Sequence, residues 1–232
     1  MVPPFYLEEM KNLPESQVSF KGEEEVRFHP KYTGIGSGDI QPVIHAIQVN
    51  LTRDAGHVLE VLQDEVEYAL SRSLPGSCDS WTSVVMYEVV VNTVAIMFSR
   101  LFVGLPLSRT EEWLEPMRRY LIDAIFAEGK LWQLPQWSLP VTAPFVPIVR
   151  KTMGYRRTIR QLIAPLLRER LAEMQLPDFK APNDILQTLI DYAGPKAGDL
   201  QWHTDNFANF ALASIQNTSQ AVRLLGLIII LV

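Results

Sequence analysis

Apolar side chains recur at steps of three and four residues along most of the chain, which is the spacing of one face of an α-helix. Prolines, glycines and capping residues such as Asp184 mark where these helices begin or end. The segment 15–41 contains several glycines and a proline, lacks this spacing and is predicted to be irregular. The predicted helical segments are residues 7–13, 43–51, 58–70, 113–126, 155–174, 184–193 and a last one that starts near residue 199.

Residues 80–103 form the most apolar segment, with aliphatic and aromatic side chains over most of a helical circumference and Asp79 and Ser80 as candidate caps. A helix that is apolar all round is buried in a large core or spans a membrane. Glu88, Asn92 and Arg100 disfavour the membrane. The many valines leave a pair of β-strands as an alternative to the helix.

The second half of the chain carries a predicted capping box, an aromatic crossover and a basic helix face. Ser108 and Glu111 have the spacing of a capping box at the start of a helix. Residues 129–147 combine prolines with aromatic residues, which predicts a mobile crossover that is interrupted by prolines. The basic residues of the long helix that follows are predicted to lie on a solvated face: Arg150, Lys151, Arg156, Arg157, Arg160, Arg168 and Arg170.

Composition and charge narrow the class of protein. The 232 residues are 47% hydrophobic with a formal net charge of −5, which is typical of a globular protein and disfavours a nucleic-acid partner. The single cysteine, Cys78, excludes an internal disulfide and the sites that need several thiolates. The histidines show no metal-binding spacing, and the glycine run 34–38 lacks the lysine of a phosphate-binding loop, so it is predicted to be a flexible turn. The amino terminus shows neither a signal peptide nor a membrane anchor.

Residues 211–220 place small residues beside a polar run in the middle of an otherwise apolar helix. Serine, asparagine and threonine compete with the hydrogen bonds of the helix backbone, so such a run is costly. It is tolerated where a helix borders a ligand or a channel. A close helix contact between small residues, with the polar groups satisfied, explains the pattern equally well.

The run Ala-Ser-Ile-Gln-Asn-Thr-Ser at 213–219 resembles the distal helix of fungal cytochrome P450 monooxygenases, which often reads Ala-Ser-Ile-His-Thr-Thr-Ser. Other stretches are similar to the family in the same order: Tyr-Thr-Gly-Ile-Gly at 32–36, segment 45–52, Phe-Ser-Arg-Leu-Phe-Val-Gly at 98–104 and Asn-Asp-Ile-Leu at 183–186. The resemblance covers residues 5–222. It implies an all-α fold, namely an incomplete P450-like helical array from helix B to helix I with little sheet.

The resemblance implies a haem cofactor whose iron is held by a cysteine thiolate. The resemblance places the family's Glu-x-x-Arg and Phe-x-x-Gly-x-x-x-Cys-x-Gly segments after the distal helix, beyond these 232 residues, and Cys78 matches a loop position instead. We therefore expect that this chain binds haem unstably and holds no other metal. His45 takes the position of a C-helix aromatic residue that often meets a haem propionate, so the resemblance makes it a candidate contact at the haem edge.

In the family, a distal acid and an alcohol relay protons to bound oxygen. Ala213 and Ser214 match the small positions of that segment, Gln216 stands at the acid position, Asn217 stands at the first threonine position and Thr218 follows. A side-chain amide hydrogen-bonds water but is a poor proton donor near neutral pH. The resemblance therefore implies a degenerate relay with no secure catalytic residue.

The resemblance predicts a partial cytochrome P450 domain over residues 1–222 and a divergent apolar tail at 223–232. It implies an inactive, truncated relative of fungal monooxygenases that oxidise secondary metabolites such as terpenoids or alkaloids. A small hydrophobic substrate and P450 reductase are the implied partners of a full-length form. The family is anchored in the endoplasmic-reticulum membrane, and without that anchor the chain is expected in the cytoplasm. Two alternatives stay open: a non-enzymatic all-α protein that binds a small molecule at 129–147, and a fragment of an active enzyme produced by a gene-model error.

Overall fold

The structure is a computed structural model that describes residues 3–53, 55–76, 83–219 and 221–222. Within these residues every regular element is a helix, so the predicted all-α class is confirmed there. Two π-helical segments, Ile47–Arg53 and Leu212–Gln216, continue α4 and α11. The helices α1 to α11 are Leu7–Lys11, Phe20–Phe28, Pro30–Thr33, Ile40–Ala46, Ala55–Ser73, Met86–Val103, Glu111–Trp132, Leu139–Thr142, Pro147–Glu173, Ile185–Ala193 and Leu200–Ala211. Short 3₁₀ turns occupy Pro4–Tyr6, Leu107–Arg109, Gln136–Ser138, Ala143–Phe145 and Gly194–Lys196.

The core is built where α6, α7 and α11 meet. Phe102 lies between two aromatic rings of α11, with its centroid 5.8 Å from Phe207 and 5.9 Å from Phe210. Trp113 of α7 packs edge-on against Phe207 at 6.4 Å. All four side chains are almost completely buried. Tilted and edge-to-face rings of this kind add to the free energy of burial, so this cluster fixes how α11 lies against the other two helices.

Helix α6 confirms the helical interpretation of the valine-rich segment and rules out the strand pair for residues 86–103. By length and composition it is able to cross a membrane, but half of it is buried inside the fold. A buried core helix passes the same test, and Thr93, Ala95 and Ser99 are among its buried residues. The candidate caps Asp79 and Ser80 lie outside the described residues, as do Cys78 and the tail 223–232.

The predicted irregularity of residues 15–41 is wrong, because α2, α3 and the start of α4 lie there. Ser19 caps α2 by accepting a hydrogen bond from the Gly22 amide at 2.9 Å. Pro30 occupies the first turn of α3, where its missing N–H group costs nothing. Helix α2 buries none of its residues completely, so its sequence lacks the apolar periodicity that a core helix shows.

The predicted capping box is also wrong. Helix α7 begins at Glu111 with Thr110 as its N-cap, and no side chain caps it. Ser108 is buried in the 3₁₀ turn before it, and the Thr110 hydroxyl donates to the Leu107 carbonyl at 2.9 Å. The turn therefore satisfies the Thr110 hydroxyl locally, whereas the Ser108 hydroxyl is buried without a partner among the described residues.

Only part of the predicted solvated face of α9 is solvated. Arg156 and Arg170 are buried, whereas Arg150, Arg157 and Arg168 are exposed. Arg170 donates to both carboxylate oxygens of the α10 cap residue Asp184, at 3.0 Å and 2.5 Å. A buried guanidinium needs a carboxylate partner, and these partners lie far enough away in sequence that helical spacing alone does not predict them.

The predicted crossover 129–147 is shorter than expected and is built from helical turns. Residues 129–132 still belong to α7, and α9 begins at Pro147. Between them lie two 3₁₀ turns and the four-residue helix α8. A small apolar cluster, which includes Leu131, Leu139 and Val149, holds this segment against the ends of the two long helices.

Candidate functional site

The polar run at the end of α11 changes the helix from α to π geometry. The π-helical segment spans Leu212–Gln216, directly where small and polar residues replace the apolar ones. A π segment adds residues to a helical turn, leaves backbone groups free to rearrange and occurs frequently at functional sites. The structure therefore places a local break in the α-helix at the positions that resemble a distal helix.

The π segment turns one face to the core and the other outward. Ile215 and Ser219 are each 2% exposed, and the segment packs on α6. Ala213 and Asn217 are exposed, while Ser214 and Thr218 are half-buried. The side chain of Gln216 lies outside what the structure describes. Among the described side chains of residues 212–219, Ala213 and Asn217 are thus the ones most open to a ligand.

A cavity of about 480 Å³ lies beside this open face. Pockets that hold small molecules have volumes of roughly 300–1,000 Å³ and mostly apolar walls. Helices α2 and α7 form the wall opposite to the end of α11. The apolar lining residues are Phe20, Phe28, Val43, Ile125, Leu212 and Ala213, and the polar ones are Glu23, Glu24, Arg27, Glu128, Asn209 and Asn217.

Most of the charge in this cavity is already paired. Arg27 lies between two carboxylates, with its nitrogens 3.7 Å from Glu23 and 3.9 Å from Glu128. Glu24 has no salt bridge within 4.0 Å among the described residues, and burial raises the pKa of its carboxyl while nearby Lys21 opposes that rise. A half-buried carboxylate without an ion-pair partner within 4.0 Å among the described residues is the unusual group of this site.

The glycine run 34–38 lies next to two lining residues of the cavity, Glu24 and Asn209, and is not a freely exposed turn. Gly34 and Gly36 have φ angles of 84° and 76°, which favour glycine. The Gly36 amide donates to Asn209 Oδ1 at 2.9 Å, and the buried Tyr120 hydroxyl donates to the Thr33 carbonyl at 3.0 Å. The run is therefore fixed to α7 and α11.

A buried ion pair between α9 and α11 lies against this loop. Arg156 of α9 pairs with Asp205 of α11, and burial lowers the pKa of the Arg156 guanidinium. A β-carbon on Gly34 would lie 2.7 Å from Arg156 Nε. The loop backbone therefore sits directly on the ion pair, and only glycine fits at that position.

His45 does not join these residues. It is exposed on α4, and its ring packs against Tyr192 of α10 with centroids 5.0 Å apart. It does not line the cavity beside Ala213 and Asn217. Its role as a contact at the haem edge therefore stays a prediction, with no support from this arrangement.

The residues present match one half of what a haem site needs. Ala213 is small and open, so a flat ring can lie against the π segment. The described residues contain no cysteine, the residue whose thiolate holds the haem iron in this family, because Cys78 lies outside them. The described residues therefore do not supply the axial ligand.

The second alternative site, the aromatic crossover, does not form this cavity. Trp137 and Phe145 are 86% and 74% exposed, and neither lines it. Sequence reasoning instead missed Glu24 and the phenylalanines of α2, because it left residues 15–41 irregular. The signals that predict this helix are the N-cap Ser19 and the Glu23–Arg27 pair at i,i+4 spacing.

Curated fungal proteins match almost the whole chain. It is 28% identical to "Cytochrome P450 monooxygenase olcJ" of Penicillium canescens, over 96% of this chain and 43% of that protein. It is 33% identical to "Cytochrome P450 monooxygenase ascG" of Acremonium egyptiacum, over 93% of this chain and 41% of the relative. "Cytochrome P450 monooxygenase BOA4" of Botryotinia fuckeliana is 29% identical over 94% of this chain and 44% of its own length. The chain thus spans about two fifths of the length of these relatives. No protein-family model and no solved structure matches it.

Proposed function

Because the chain is a partial cytochrome P450-like region, we propose that it forms the distal, substrate-facing helical part of a fungal monooxygenase of small apolar compounds. The observation that carries this proposal is the cavity of about 480 Å³ between α2, α7 and the open face of the π segment. Its mostly apolar walls suit a secondary metabolite such as a terpenoid or an alkaloid.

In this family a haem held by a cysteine thiolate supplies the chemistry of oxygen activation. The proposed task of the described residues is different, because they contain no cysteine to hold the iron. Phe20, Phe28 and Ile125 exclude water from an apolar substrate, and the π segment forms the wall against which that substrate lies. We propose that these residues alone neither hold haem through a thiolate nor oxidise a substrate.

The polar end of the π segment is proposed to hold water rather than to deliver protons. Asn217 is open to the cavity, and its side-chain amide accepts and donates hydrogen bonds without releasing a proton near neutral pH. Thr218 follows it and is half-buried. A hydroxyl and an acid at these positions would make a better relay, so proton delivery is proposed to be weak.

The proposed partners follow from the same role. A small apolar substrate fills the cavity, and P450 reductase supplies electrons to a form that holds thiolate-bound haem.

The absence of thiolate-bound haem is tested by supplementing the purified chain with haem, reducing it and recording the carbon-monoxide difference spectrum. We expect no Soret band of the kind that thiolate-bound haem gives. A haem-binding protein with a histidine ligand serves as a positive control for haem uptake. Appearance of the thiolate band in the chain would contradict the proposed lack of activity.

A further inference from the structure

We propose that the cavity beside the π segment binds an apolar molecule that carries a protonated amine, and that Glu24 is the residue that selects it. This inference rests on the proposed function only in using the same cavity, and it adds the chemical class of the ligand. It is carried by the position of Glu24, by the pairing of the other charges and by the apolar walls.

The Glu24 side chain lines the cavity and lies against the glycine loop. A β-carbon built on Gly36 would lie 3.2 Å from Glu24 Cβ and 3.8 Å from its carboxyl carbon, so the side chain packs against the glycine loop. The Gly36 amide is committed to Asn209 Oδ1 at 2.9 Å and so does not bind the carboxylate. Glu24 therefore lies in a fixed position with its acceptor oxygens available to a ligand.

The other carboxylates of the lining are occupied. Arg27 lies within 3.9 Å of both Glu23 and Glu128, which leaves Glu24 without a salt bridge among the described residues. The lining thus carries three carboxylates against one guanidinium. A cationic ligand balances this charge, whereas an anionic ligand would add to it.

The rest of the lining requires the cation to be attached to an apolar body. Phe20, Phe28 and Ile125 face Leu212 and Ala213 across the cavity. A small hydrophilic cation would leave these side chains in contact with water. An apolar amine covers them and places its charged end at Glu24, which satisfies both parts of the lining.

The same geometry predicts how binding depends on pH. Burial raises the pKa of Glu24, and an ammonium group beside it lowers that pKa again. Lys21, Glu23 and Arg27 of α2 and Glu128 of α7 are the charged groups near it, and the cavity residues from α4, α11 and the π segment are not titratable. Amine binding should therefore strengthen as pH rises through the Glu24 pKa, while the amine, with a pKa of about 10, stays protonated.

The test measures the binding of 4-phenylbutylamine and of 4-phenylbutan-1-ol to the 232-residue chain by isothermal titration calorimetry. The two probes share size and apolar body and differ in charge. We expect the amine to bind about tenfold tighter than the alcohol, as a charge-assisted hydrogen bond to a half-buried carboxylate gives. Glu24→Gln should remove this preference, whereas Glu25→Gln, an exposed neighbour that does not line the cavity, should keep it.

Ala213→Phe should weaken both probes, because the added ring fills the cavity, and circular dichroism verifies that each variant remains helical. Equal binding of amine and alcohol, an unchanged preference in Glu24→Gln, or no binding of either probe would overturn the inference. These outcomes are independent of haem. A thiolate band in the spectroscopic test contradicts the proposed function but does not affect the amine preference. Equal binding of amine and alcohol contradicts the amine preference but does not affect the proposed function.

Discussion

The Gly36 amide donates a hydrogen bond to Asn209 Oδ1 at 2.9 Å, which joins two parts of the chain that are 173 residues apart. Asn209 lies just before the π segment, and Gly36 lies beside Glu24 of α2. This contact therefore sets the distance between the two sides of the candidate cavity. Its neighbours Tyr120 and Arg156 hold the same loop from α7 and α9.

The tight packing of this loop predicts that alanine destabilises the protein at a packed glycine but not at a glycine with open space around it. A β-carbon on Gly38 would lie 2.8 Å from Asn209 Nδ2 and 3.1 Å from the Asp205 backbone. We expect Gly38→Ala to lower the free energy of unfolding by ~1–3 kcal/mol, as overpacking does. The matched control is Gly154→Ala in α9, where nothing lies within 4 Å of the added carbon; it should raise stability by ~0.5–1 kcal/mol. Urea unfolding compares the two, and equal midpoints would contradict the packing described.

The buried carboxylate of Glu65 predicts a second stability effect. Glu65 is 1% exposed and accepts two hydrogen bonds from Arg109, at 3.0 Å and 2.9 Å, with Arg100 at 3.4 Å. Glu65→Ala leaves two guanidinium groups without their partner, and because both are about a third exposed to water we expect a loss of ~1.5–3 kcal/mol. Glu67→Ala on the exposed side of α5 is the control and should change stability by less than ~0.5 kcal/mol. Chemical denaturation measures both, and a loss at Glu65 as small as that at Glu67 would refute the role of the ion pair.

Helix boundaries were largely predictable from sequence where a cap and an apolar face coincide. Asp184 caps α10 as expected, and α11 begins beside Asp199 as expected; each of these side chains accepts amide hydrogen bonds of the first turn. The polar run after residue 211 indicated a disturbed helix, and the π segment lies there. The family resemblance supplied the arrangement of these helices, which local periodicity does not contain.

The cavity itself was not predictable from local patterns. Helix α2 buries no residue completely, so it has no apolar periodicity, and Glu24 was missed with it. The bond between Gly36 and Asn209 and the ion pair between Arg156 and Asp205 join distant positions. Such pairs depend on how the helices pack against one another. The spacing of residues along one helix does not show which of its charged side chains pairs with a buried residue of another helix.

The buried imidazole of His203 predicts a loss of stability in acid. Its Nε2 lies 2.8 Å from the Ala197 carbonyl and donates to it, and its Nδ1 is buried without a partner in the described structure. Burial lowers the pKa of His203 in the folded state. The unfolded chain therefore binds the proton more readily than the folded one, so stability falls as the pH drops below the unfolded value of about 6.5.

Urea midpoints between about pH 7.5 and about pH 5 measure this effect. His203→Gln keeps a side-chain donor for the Ala197 carbonyl and removes the titration, so its midpoint should fall less over that interval. His45→Gln, at an exposed position for comparison, should keep the wild-type dependence. An identical pH dependence in His203→Gln and the wild type would show that another group causes the acid effect.

The amide at position 217 predicts weak proton delivery, which a chimera tests. In the chimera, residues 3–222 replace the matching region of the Acremonium egyptiacum relative. We expect Asn217→Thr to raise product formed per NADPH consumed, because a hydroxyl relays protons better than an amide. Asn217→Val, which has a similar shape to threonine without the hydroxyl, should give no gain. If the threonine and valine variants form equal amounts of product per NADPH consumed, position 217 does not take part in a proton relay.

The carbon-monoxide difference spectrum of the same chimera, recorded beside that of the isolated chain, tests the central claim most directly. If these residues form the distal part of a P450-like protein and lack the iron ligand, the reduced chimera shows the Soret band of thiolate-bound haem and the isolated chain does not. A folded, soluble chimera that takes up no haem, or a thiolate band from the isolated chain, would contradict the claim.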